Sequence, residues 1–179
     1  MDKRLSIDPG LGGTGWATWD DSNWGGWVDN VGPEACGDWQ VMGSVNRSKD
    51  WLERAYILSD KFEQWLWNNF IADRSSDRIV RCYIEFPIFY DDAGGHMCAK
   101  KGNLGKLYCL IGMLVAVCRR WSIPVELIKV PDWKGQLPKP VVFERMERLL
   151  GPEVCAKFPK STHAWDAIGI GLYAKGVRI

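Results

Sequence analysis

Four side chains in this sequence have the types and settings for holding a hard cation or acting on a phosphate ester: Asp8, Glu85, His163 and Asp166. Asp8 ends the apolar run Leu5 to Asp8 and is followed by Pro9-Gly10, so its carboxylate projects from a strand end where the backbone turns away. Glu85 lies inside Arg78 to Phe86 (RIVRCYIEF), a β-branched and aromatic run that stops at Pro87. An ionised carboxylate in such a strand costs several kcal/mol to desolvate unless a cation or a donor meets it. His163 and Asp166 are three positions apart, which on a helix puts both on one face, one turn apart. Ser161 or Thr162 is the expected N-cap of that helix.

Each of these has an ordinary explanation when taken alone. An Asp before Pro-Gly caps turns, a strand Glu pairs with a core Arg, and a His-x-x-Asp pair is often a solvated helix start. Taken together, three carboxylates from two strand ends and one helix start can converge on a pair of Mg²⁺ or Mn²⁺ ions about 4 Å apart. One ion then activates water while the other stabilises the leaving oxygen of a phosphodiester. Oxygen ligands suit those cations better than zinc. His96-Met97-Cys98 lacks a second ligand pair at zinc spacing, and the six cysteines contain no C-x-x-C pair, so they are expected as buried free thiols.

The elements that must position these groups are legible from pattern. Leu5 to Asp8 and Gly13 to Trp19 predict two strands of a hairpin, and a third strand is expected within the Gly-, Asp- and Trp-rich stretch of residues 20–45, at Trp24 to Val28 or Trp39 to Val45. Apolar residues at three and four spacing from Ser48 to about Ala72 predict a long amphipathic helix. Arg78 to Phe86 predicts a buried strand, and Asn103 to Trp121 predicts a helix apolar nearly all round, which needs cover beyond one sheet face. Val125 to Val130 predicts a further strand, followed by a loop, a helix over Lys139 to Leu150 and a last helix over Thr162 to Lys175. The order β, β, β, α, β, α, β, α, α implies an α/β fold with a mixed five-stranded sheet, antiparallel first and parallel afterwards, flanked by helices.

A chain of 179 residues is long enough to bury a core as a single domain spanning 1–179. With 46% hydrophobic and 25% charged residues it is too apolar for a disordered chain. The formal net charge of +1 gives no global attraction to a polyanion, so any nucleic-acid surface must come from local clustering of Lys and Arg. The apolar run Leu107 to Cys118 is too short to span a bilayer, and no secretory segment opens the chain, so no membrane association and a cytoplasmic location are expected.

Longer stretches of sequence make the reading specific. LSIDPGLGGTGWA (Leu5 to Ala17) resembles the opening of the RuvC family of Holliday junction resolvases. The strand IEF with Glu85, the stretch GNLGKLYCLIGMLVAV (Gly102 to Val117) and HAWDAIGIGL (His163 to Leu172) are similar to later blocks of that family in the same order. The resemblance implies an RNase H-like fold and a metal-dependent endonuclease that resolves four-way junctions by paired, symmetric incisions. It implies Asp8, Glu85 and Asp166 as ligands of two Mg²⁺ ions, with Mn²⁺ as a substitute. His163 stands where some members have His and others Asp, and its implied role is a metal ligand or a group handling the water or the leaving oxygen. A histidine there is expected to make activity fall more steeply in acid than a fourth carboxylate would.

The resemblance also implies DNA-contacting lysines at Lys134 and Lys139, joined by Lys100, Lys101, Lys106, Arg119 and Arg120 as a local positive surface. Members often carry a base-stacking aromatic shortly after the Glu. Here the matching position is Ile88, so Phe86, Phe89 and Tyr90 become the candidates, with Phe89 and Tyr90 preferred. The two-fold symmetry of a four-way junction implies a homodimer; Gly105 and Gly112, two turns apart, either admit a partner helix or pack closely on the chain's own sheet. The brevity, the Trp-rich composition and the loop WKGQLPK resemble the bacteriophage members, which implies debranching of replicated or recombined DNA.

Three alternatives stay open at the level of sequence. The same metal site serves RNase H-like nucleases acting on flap or branched DNA or on RNA-DNA hybrid. Asp-x-Gly followed by Thr-Gly also resembles the phosphate loop of actin-like kinases and ATPases, which require a duplicated domain. A non-catalytic nucleic-acid-binding module would keep the fold, although unneeded clustered carboxylates repel and cost stability.

Overall fold

The computed structural model describes residues 1–20, 50–72, 77–88 and 102–179 in full and 36–40 as backbone. Strands β1 (Asp2–Asp8) and β2 (Gly13–Asp20) form the expected antiparallel hairpin, with Ile7 opposite Trp16 and Asp8 opposite Gly15. Strand β3 (Cys36–Gln40) continues the meander along β2. On the other side of β1 lie β4 (Arg78–Phe86) and then β5 (Val125–Lys129), both parallel to it, so the five-stranded sheet has the order β3-β2-β1-β4-β5. Parallel neighbours require crossovers. Helix α1 (Trp51–Leu66), extended by a π-helical turn over Trp67–Ile71, lies between β3 and β4, and α2 (Asn103–Arg120) lies between β4 and β5.

Period-two alternation sends side chains to two faces, and each face is covered by helices. Leu5, Ile7, Cys82 and Ile84 point to one face, where they pack with Leu58, Phe62 and Leu66 of α1 and Leu110, Leu114 and Val117 of α2. Full burial of each such side chain stabilises by roughly 1.5–3 kcal/mol. On the opposite face Trp19, Tyr83 and Ile128 pack with α3 (Val130–Lys134), α4 (Lys139–Leu150), α5 (Pro152–Cys155) and α6 (Thr162–Ala174). Cys82, Cys118 and Cys155 are buried free thiols, as expected, and Cys109 is a half-buried one. No helix among the described residues is long and apolar enough to cross a membrane.

Several boundaries differ from expectation. The first helix begins at Trp51 after Asp50, and Ser48, the expected cap, lies outside the described residues. The third strand begins earlier than the Trp39 to Val45 candidate, because pairing of Ala17 with Cys36 and of Gly13 with Gln40 sets its register; Trp24 to Val28 lies outside the described residues. The segment after β5 is not a loop. Pro131 sits in the first turn of α3, where its fixed φ suits a helix and its missing N–H costs nothing.

Candidate active site

Parallel pairing of β1 with β4 sets Ile7 beside Ile84, so the next residues, Asp8 and Glu85, stand side by side at the carboxyl edge of the sheet. Alternation turns both away from the aliphatic α1–α2 face and toward α6. Helix α6 lies very close to this face. Ser6 Oγ donates to the Ala167 carbonyl at 2.6 Å, and a Cβ added at Gly15 would stand 2.0 Å from the His163 carbonyl oxygen. At Gly171 the added atom would meet Trp19 at 2.9 Å. Only glycine lets β2 and α6 approach this closely, and the approach carries His163 and Asp166 in the first turns of α6 to the strand ends. Ser161 flanks the helix in extended conformation and makes no side-chain cap bond.

Each acid is met by its own nitrogen. His163 Nδ1 lies 2.6 Å from Asp8 Oδ2, Lys139 Nζ donates to Asp166 Oδ2 at 2.5 Å, and Trp133 Nε1 donates to Glu85 Oε2 at 2.8 Å. Lys134 Nζ stands 3.9 Å from the same Glu85 oxygen. Asp8 is 5% exposed and Asp166 3%, and Asp166 Oδ1 is buried with no hydrogen-bond partner.

The electrostatics follow from burial and crowding. Burial pushes the Glu85 pKa up to about 7, helped by the charge of Asp8 and opposed by Lys134, with smaller effects of the Trp133 bond and Asp166. Burial also raises Asp8, joined by the charge of Asp166 and opposed by the His163 hydrogen bond. The Asp8 bond raises His163 above its ordinary value. Burial works against the Lys139 ammonium, but its bond to Asp166 and the charges of Asp166, Asp8 and Glu85 outweigh this and hold its pKa up. Three carboxylates crowded in a poorly solvated edge thus create a demand for positive charge.

Among the described residues, no three His, Cys, Asp or Glu side chains are drawn together as a finished cation cage; each acid is instead turned to its nitrogen partner. The donor set still fits a hard divalent cation. It is oxygen-rich, it is crowded with like charge, and it contains a buried carboxylate oxygen with nothing to accept.

The structure therefore brings Asp8, Glu85, His163 and Asp166 together. Lys134 and Lys139, expected on a phosphate-facing surface, lie in the cluster itself with their ammonium groups on Glu85 and Asp166. Lys106 is half-buried in the first turn of α2. Arg119 and Arg120 lie at the other end of α2, about 20 Å from Lys106 at the helical rise, and Arg120 pairs with Glu63. Phe86 is taken up by Tyr108, whose ring stacks on it at 5.0 Å and whose hydroxyl donates to the Pro87 carbonyl. Phe89, Tyr90, Lys100 and Lys101 lie outside the described residues. The partner of Glu85 is not a core Arg but Trp133, which sequence reasoning missed. The apolar Trp beside Lys134 in a Pro-to-Gly segment was the available signal.

No protein-family model matches the chain, and no curated protein matches it by sequence. Among solved structures the chain is similar to Thermus thermophilus RuvC in complex with Holliday junction substrate, with a TM-score of 0.58 and 19% identity over 97% of this chain and 96% of that one. It is similar in the same measure to a second Thermus thermophilus RuvC structure, with a TM-score of 0.57 and 19% identity. Likeness over nearly all of both chains gives this protein the RNase H-like fold of RuvC.

Proposed function

We propose that this chain is a metal-dependent, structure-selective DNA endonuclease that resolves four-way junctions by paired incisions. The observation that carries the reading is the convergence of Asp8, Glu85, Asp166 and His163 at the carboxyl edge of a sheet whose fold matches a protein described in complex with a Holliday junction. Asp8, Glu85 and Asp166 would hold Mg²⁺ or Mn²⁺, with His163 as a further ligand or a carrier of the proton. The cations would supply an activated water and charge neutralisation at the leaving oxygen. The chain's own part is to hold the acids close, to keep water off Asp8 and Asp166 by burial, and to keep Lys134 and Lys139 beside them as fixed positive charges. Those ammonium groups also suit an incoming phosphate.

Paired incision calls for two copies of the chain related by the junction's two-fold axis. Gly105 and Gly112 support a homodimer, because both are exposed on α2 and a Cβ added at either meets nothing within 4 Å. They are therefore not used to pack α2 on its own sheet. Sedimentation of the purified protein should give twice the chain mass.

The test is cleavage of a synthetic immobile four-way junction beside matched duplex, flap and RNA-DNA hybrid, with Mg²⁺, Mn²⁺ or EDTA. Symmetric metal-dependent nicks on the junction are expected, and Glu85→Gln should abolish them. Cleavage confined to flap or hybrid would move the function to another RNase H-like nuclease, and junction binding without cleavage would leave a binding module.

A further inference from the structure

Trp133 is buried at 3% exposure yet lies on a helix of only five residues, Val130–Lys134. Its indole bridges Glu85 and the helix that carries Asp166. On one side Nε1 donates to Glu85 Oε2 at 2.8 Å. On the other the six-membered ring lies against Gly169 of α6, where an added Cβ would stand 2.4 Å from Cζ3. Gly169 is three residues after Asp166, so the helix turn that carries Asp166 rests on the same ring that holds Glu85. Lys134 adds its ammonium 4.7 Å from the ring centroid and 3.9 Å from the same carboxylate oxygen.

We infer that Trp133 is a positioning residue that fixes the Glu85 carboxylate and its spacing from Asp166, presenting Glu85 Oε1 to a divalent cation. This rests on the reading of Glu85 as a metal ligand. Both contacts fall on Oε2, so Oε1 is the oxygen left for coordination. A rigid indole wedged between strand β4 and helix α6 has no rotamer freedom to lose when the cation arrives. The glycine and the tryptophan form a matched pair, since no other residue at 169 leaves room for the benzo ring.

Trp133→Phe keeps an aromatic ring in the site and removes the N–H. Titration of Mn²⁺ alone, followed by the electron-spin signal of the free ion, should show affinity weakened about 10- to 100-fold. On DNA, kcat should fall while KM stays as in the wild type. Gly169→Ala should weaken Mn²⁺ binding in the wild-type background but have little further effect in Trp133→Phe, because the atoms it strikes are then absent. Wild-type Mn²⁺ affinity in a folded Trp133→Phe protein would overturn the inference, and so would simple additivity of the two substitutions. Glu85→Gln is the reference: if it binds Mn²⁺ as well as the wild type does, the metal-ligand reading itself falls and takes the inference with it. If Glu85→Gln loses binding while Trp133→Phe retains it, only the role of Trp133 fails.

Discussion

The two faces of the sheet are built on different principles. Under α1 and α2 the contact is made by branched and aromatic side chains such as Leu58, Phe62, Leu110 and Leu114, all fully buried and with no polar group to satisfy. Under α6 it is made by backbone pressed on backbone at Gly15, by ring against glycine at Gly169 and Gly171, and by the Ser6 hydroxyl on Ala167. The first face can relax around a change of shape, because side chains reorganise more readily than backbone. The second cannot, and it is the one that carries every member of the acid cluster. Both sides of the sheet carry a buried apolar core, but the site geometry is set on the α6 side alone.

The strongest challenge to that division is Gly15→Ala. Its methyl group would strike the His163 carbonyl, so α6 must lift from β2. Loss of both junction cleavage and Mn²⁺ binding is expected, with a stability cost at or beyond the upper end of the about 1–3 kcal/mol typical of overpacking. Leu114→Ala on the other face should lower stability by about 2–5 kcal/mol in denaturant titration while the folded protein keeps its kcat. If Leu114→Ala silenced the site and Gly15→Ala spared it, the comparison would be wrong.

Acidity sharpens it further. Glu85 titrates near 7 in the folded chain, above the ordinary carboxylate value of 4.5. Its contribution to stability is thus fully present below about pH 4.5 and lost as pH rises through about 7, on the order of 3 kcal/mol for the metal-free protein. The raised values of Asp8 and His163 act in the same direction. The melting temperature without metal should be lower at about pH 8 than at about pH 5.5. Mg²⁺ should recover it at the higher pH, and Glu85→Gln should flatten the dependence. A pH-independent melting curve would deny the crowding of charge on the α6 face.

The smallest effect is expected at Lys106, in the first turn of the helix on the aliphatic side. Lys106→Ala should leave the rate at saturating junction unchanged and reduce the salt slope of binding by about 1. A large loss of kcat would make that lysine part of the site.

Much of this was legible in the primary structure. Period-two and three-four spacing identified β1, β2, β4, β5 and the helices from Asn103, Lys139 and Thr162, because each repeats a burial pattern that local geometry imposes. The candidate acids were legible because Asp8 and Glu85 are carboxylates at the ends of apolar strands, and burial makes such residues costly without a purpose. Where Lys134 and Lys139 would point was not legible: a lysine near a strand end reads alike whether it faces solvent or an acid. Nor was the π-helical turn after α1, nor α3, whose five residues are too few to show a period.

By itself the sequence determined the order of elements, the two apolar faces and the identity of the four candidate groups, since these depend on neighbours along the chain. The tertiary structure alone decided that His163 lies on Asp8, Lys139 on Asp166 and Trp133 on Glu85, across 155, 27 and 48 positions of sequence. Such contacts arise from strand register and from glycines that set how closely a helix can approach, and neither leaves a local pattern in the chain.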